Sequence, residues 1–118
     1  MAVVRIDGDA LCVELAGAEK VAACHGDVRV PLRAVRTVEV VDNPLQAVHG
    51  LRAPGTGLPG VLAVGTWRAP GVALFAVVRR GERAVRVMLA GGPFTELLIG
   101  CADPERVADA IRTALASA

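Results

Sequence analysis

At 118 residues the chain is sized for one compact domain, 1–118, and its 53% apolar content is enough to build a core without staples. Thirteen basic and twelve acidic residues leave a formal charge of +1, a balance that argues against a dedicated nucleic-acid binder. The longest apolar runs, such as 72–78, fall far short of the ~20 residues needed to cross a bilayer, so no transmembrane segment is expected.

Taken in order, the segment 3–6 predicts a short edge strand. Leu11, Val13 and Leu15 then alternate with Cys12 and Glu14, the period-two pattern of a strand with one buried face. A turn at Gly17 leads to a strand over 21–24, and the His25-Gly26-Asp27 cluster turns the chain into another over 28–31. Pro31 marks an edge or a break before the strand over 35–41. The stretch 43–60 carries Pro44, Gly50, Pro54, Gly55, Gly57, Pro59 and Gly60, and it reads as one long irregular loop of the kind that often has a function. Segments 61–67, 72–79 and 84–90 predict a meander of three strands, and 96–100 a last short one. Aromatic residues make up only 3%, so this core is built of Val, Leu, Ala and Ile, and β-branched Val favours strands.

The hydrophobic period changes at the C-terminus. Val107, Ile111, Ala114 and Leu115 share one helical face, with Asp103 suited to the N-cap, Pro104 to the first turn and Glu105 to the positive end of the helix dipole. The spacing predicts a helix over about 104–116. The fold class expected is therefore mainly β (α+β): a sandwich or partly open barrel of about seven to eight antiparallel strands within 3–100, capped by one C-terminal helix.

Val30-Pro31-Leu32 running into Val35-Arg36-Thr37-Val38-Glu39-Val40, then Gly65-Thr66-Trp67, then Asp103-Pro104-Glu105-Arg106-Val107, occur in an order that resembles the pleckstrin-homology-like fold, specifically its small bacterial domains. The resemblance spans nearly the whole chain. It implies a binding or assembly module and no catalyst, and it leaves the ligand open. Phosphoinositide binding is not carried over, because the region matching the family's basic first hairpin is Ala16-Gly17-Ala18-Glu19-Lys20.

Several residues invite a chemical reading. Gly55-Thr56-Gly57-Leu58-Pro59-Gly60 matches the spacing of a dinucleotide fingerprint, but a Pro/Gly loop precedes it and the β-type run from Val61 follows, so no cofactor is expected. His25, His49 and three scattered cysteines lack the paired short spacing of a structural zinc site, and no metal is expected. Cys101, just ahead of the helix, is the best candidate for a reactive thiol; the plainer reading is a small buried residue. Ser117 is the only serine, which leaves no support for a serine nucleophile.

Two surfaces stand out for binding. Arg79, Arg80, Arg83 and Arg86 surround one hairpin with only Glu82 to offset them, a charge cluster able to attract phosphate, anionic lipid or an acidic protein tail; edge decoration against aggregation is the plainer account. His49 and Arg52 in the long loop, with Trp67 downstream, form the other, although Trp67 also suits the core. The leading expectation is a noncatalytic interaction module that recruits a protein partner or a second copy of itself. A peripheral binder of anionic lipid or another polyanion through 79–86 is the alternative, and a small enzyme with a loop pocket around His49 and Arg52 the third. The odd cysteine count and a start without a charged and apolar leader predict a cytoplasmic location, peripheral to the membrane under the lipid alternative.

Overall fold

Alternating and continuous apolar runs sort the strands into two sheets. A computed structural model describes residues 2–117, the side chain of Ala53 excepted. Strands β1 (Val3–Asp7), β2 (Ala10–Glu14) and β3 (Val28–Pro31) pair antiparallel in the order β1-β2-β3. Strands β4 (Val35–Val41), β5 (Leu51–Leu58), β6 (Leu62–Ala69), β7 (Val72–Arg79), β8 (Arg83–Leu89) and β9 (Glu96–Cys101) form a larger open sheet in the order β4-β8-β9-β7-β6-β5. Helices α1 (Gly17–Ala23), α2 (Pro44–Ala47) and α3 (Pro104–Ser117) and a 3₁₀ turn (Leu32–Ala34) complete the described residues.

The α+β class and the closing helix are as expected, and the details differ in four places. Among the described residues nine strands form two open sheets and no closed barrel, in place of seven or eight in one sandwich or partly open barrel. The pairing is not wholly antiparallel: β9 inserts between β8 and β7 and runs parallel to β7, so 61–90 is a hairpin of β6 and β7 followed by a strand that leaves it. The apolar run of β7, buried from Ala73 to Val78, explains this, since a strand covered on both faces belongs in the interior of a sheet. The supposed strand over 21–24 is the last turn of α1 and its C-cap, Cys24. The Ala-rich stretch of α1 favours a helix, and Glu19, placed three residues after Ala16, accepts the Ala16 amide at 2.9 Å.

The fourth difference is the supposed 43–60 loop, which holds α2 and β5. Pro44 occupies the first turn of α2, and β5 pairs with β6 through a register shift between Arg52 and Gly55 that accommodates Pro54. Gly55 and Gly65 face each other in this ladder, and a Cβ on Gly65 would lie 2.5 Å from Gly55 Cα. Two glycines are therefore required where the backbones touch. The 55–60 stretch is strand and turn, followed by another strand.

The main core lies between the inner face of the large sheet and a cover made of the small sheet, α1 and α3. Leu11, Val13 and Val30 meet Phe75, Val77, Leu97 and Ile99, with Ala108 and Ile111 of α3 closing the open end. Phe75, Phe94 and His25 form a ring cluster with centroids 5.2–5.6 Å apart, which brings both phenylalanines together in the main core. A smaller apolar layer, Ala63, Trp67, Leu74, Ala76, Val78 and Leu98, covers the outer face. No helix among the described residues is long and apolar enough to cross a membrane.

Candidate binding groove on the outer sheet face

The outer apolar layer is covered by the crossover from β4 to β5, which carries α2. Leu45, Ala47 and Val48 pack onto it, and because this cover is one short helix it leaves a hollow on either side. The first, about 270 Å³, lies toward the β5–β6 hairpin and is lined by Leu45, Val48, Arg52, Leu58, Leu62 and Trp67 among others. The second, about 300 Å³, reaches the β7–β8 turn and includes Asp42, Asn43, Gln46, Arg79, Arg80 and Glu82. Leu45 and Gly60 border both, so the two hollows adjoin along one groove, with mostly apolar residues around the first, its apolar end, and mostly polar and charged residues around the second, its polar end.

The two surfaces singled out in the sequence thus meet, and their residues divide by role. Arg52 lines the apolar end, where its Nη1 donates to the Gly57 carbonyl at 3.1 Å. Gly57 makes room for this, since a Cβ there would sit 3.3 Å from both Arg52 Nη1 and Trp67 Cζ2. No ion pair holds Arg52 or Arg80 among the described residues, and both are exposed on the groove. They are its available cations.

His49 does not line the groove. Its Nε2 lies 3.0 Å from Oε1 of Glu96, whose residue exposure is 3%, while Glu96 Oε2 is buried with no hydrogen-bond partner. The pair pins the α2–β5 connection to the centre of the sheet. Because His49 points to Glu96 and Arg52 to the hollow, the structure does not bring the two into one pocket.

The arginines of the β7–β8 turn are mostly matched by carboxylates. Arg79 Nη1 is 3.1 Å from Oε2 of the buried Glu19, tying α1 to the large sheet. Arg83 donates to Asp42 at 2.9 Å and to both Glu105 oxygens, joining the end of β4 to the start of α3. These hydrogen bonds push the Arg83 guanidinium up and hold the Glu105 carboxyl below its ordinary range. Arg86 pairs with Glu39 across the β4–β8 ladder. A turn that reads as a positive cluster in the sequence is largely neutralised in space.

Cys101 follows the plainer of its two readings, a half-buried residue at a strand end. Burial pushes its thiol up, and its Sγ donates to the Ile99 carbonyl at 3.3 Å. Cys24, the exposed cysteine, sits at the left-handed C-cap of α1. Among the described residues no three His, Cys, Asp or Glu side chains gather in a way that could hold a metal ion.

Sequence reasoning passed over Glu19, Glu96 and Leu45. Glu19 carried a usable signal, its place three residues into an Ala-rich run. Glu96 carried a weaker one, as the acidic start of an apolar strand too continuous to have a wet face. Comparison with protein-family models, with curated proteins and with solved structures finds no match to this chain.

Proposed function

We propose that the chain is a noncatalytic interaction module whose groove along α2 receives a polypeptide segment that combines apolar side chains with at least one carboxylate. The observation that carries this reading is the union of the two hollows at Leu45 and Gly60, with Arg52 unpaired at the apolar end and Arg80 at the polar end. Leu58 is 51% exposed and Val61 39%, which places apolar surface at the rim where a partner would cover it. The apolar side chains would fill the space beside Trp67, and the carboxylate would take the free guanidinium donors of Arg52. The resemblance to pleckstrin-homology-like domains supports a binding role of this general kind. It rests on strand edges and the closing helix, while α1 and the parallel β7–β9 pair fall outside it, so the groove bears the weight.

Trp67 is the only tryptophan, and its fluorescence reports on the apolar end. Peptides selected from a random displayed library on the wild-type domain should be rich in apolar residues near Asp or Glu. Their binding should shift Trp67 emission and weaken in Leu58→Asp and Arg52→Glu. Selected peptides that bind all three proteins equally would refute the groove. A light-scattering mass that doubles in wild type and returns to the monomer value in Leu58→Asp would identify the occupant as a second copy.

A further inference from the structure

The near-zero net charge conceals an uneven distribution. Where the chain passes from the small sheet to the large one, Arg29, Arg33 and Arg36 line a hollow of about 480 Å³ together with the β8–β9 turn at 90–93, and no Asp or Glu lines it. The Ala90 amide donates to the Ala34 carbonyl at 2.8 Å, fixing the turn against the 3₁₀ turn. Arg36 Nη1 donates to the Arg33 carbonyl at 3.2 Å, and neither Arg33 nor Arg36 has a carboxylate partner among the described residues. Arg29 meets Asp7 at 2.9 Å and Cys12 at 3.2 Å through Nη1 alone. Gly91 and Gly92, at φ +82° and +88°, have nothing within 4 Å of a would-be Cβ, so this side of the hollow stays open.

We propose that this hollow binds a multiply charged oxyanion of the phosphate or pyrophosphate type. Guanidinium forks match tetrahedral oxyanions in shape and charge, and three arginines lining one hollow, two of them without a carboxylate partner, leave donors that an anion would fill. Other exposed arginines, Arg52 and Arg80 among them, also lack a carboxylate, but Arg33 and Arg36 share one hollow with a third arginine and no acidic residue lines it. A soluble phosphate compound and a phospholipid headgroup present the same chemistry.

Titration calorimetry with inorganic pyrophosphate, and co-sedimentation with phosphatidylcholine vesicles containing phosphatidylglycerol, test the site on the intact chain. R33Q/R36Q should weaken binding by about tenfold or more, since each lost charge-assisted bond contributes on that scale. The control R68Q/R106Q removes the same charge at exposed positions away from this hollow and from the groove and should bind as wild type. Binding of pyrophosphate alone points to a soluble ligand, and binding of vesicles alone to a headgroup. Pyrophosphate or vesicles should also protect Arg33 and Arg36 of the wild type from phenylglyoxal, a readout that requires no variant. Absence of binding to both probes, or an equal loss in both double variants, would overturn the proposal.

Discussion

Glu96 shows how one buried atom constrains a surface loop. Its carboxylate sits in the outer apolar layer with one oxygen on His49 and the other without a partner, an arrangement whose cost rises if the remaining hydrogen bond is removed. His49→Ala should lower stability by about 1–3 kcal/mol in denaturant unfolding, and His49→Ala combined with Glu96→Leu should recover part of that loss. An unchanged unfolding midpoint in His49→Ala would show that the pair contributes nothing. The cysteines make a second test at the same scale. Thiol labelling of the native protein at neutral pH should modify exposed Cys24 first, with Cys101 slower because burial raises its thiol and Cys12 slowest because it is enclosed. Fastest labelling at Cys101 would contradict this order.

Among the elements, α3 and the β5–β6 pair are held by different physics. In α3, Asp103 Oδ1 accepts the Arg106 amide at 3.2 Å, Pro104 starts the first turn, and Ile111, 1% exposed, enters the main core. Ile111→Asp places a charge there and should cost about 4 kcal/mol or more, a large part of the ~5–15 kcal/mol that holds a domain of this size. A circular-dichroism melt unchanged from wild type would contradict it. Arg112 of the same helix donates to the Val38 carbonyl at 2.7 Å, occupying an acceptor on edge strand β4 that could otherwise pair with another chain. In β5–β6 the constraint is backbone approach. Gly65→Ala should destabilise by more than about 2 kcal/mol, whereas Gly60→Ala, at φ +74° with open space around it, should cost only about 1–2 kcal/mol of backbone strain. Equal melting temperatures for the two variants would exclude the clash as the cause.

Over the whole molecule, Arg83 ties α3 to the end of β4 through Glu105 and Asp42, and Arg29 braces β3 against the end of β1 through Asp7. The Glu105 and Asp7 carboxyls lie below their ordinary range because arginine hydrogen bonds favour the charged form. A depressed folded value means that the unfolded chain binds more protons, so the stabilisation is present above the unfolded carboxylate range and fades as pH falls through the folded value. Arg83→Gln should therefore melt below wild type at neutral pH, and the gap should close as pH falls below the ordinary carboxylate range. A gap that persists at the acid end would assign the loss to packing. Both networks are exposed, so added salt should narrow the neutral-pH gap as well.

The sequence by itself determined the α+β class, the closing helix, most strand positions and the two segments that border the groove. Each of these rests on neighbours in sequence: alternation over a few residues, a cap followed by a 3.6-residue period, or proline and glycine at turns. The same local evidence misread 21–24, where Val21 suggested a strand and the Glu19 cap decided for a helix. Only the tertiary structure decided that β9 lies between β8 and β7, because a continuous apolar run states that both faces are buried without saying by what. It alone also decided which arginines are free. Arg79, Arg83 and Arg86 adjoin one another in the chain yet reach carboxylates up to 60 positions away, Glu19 being Arg79's partner, while Arg33 and Arg36, without one, are gathered beside Arg29 around one hollow by the passage between sheets. Charge along a chain is legible in its sequence, but neutralisation depends on distances that only the packed fold sets.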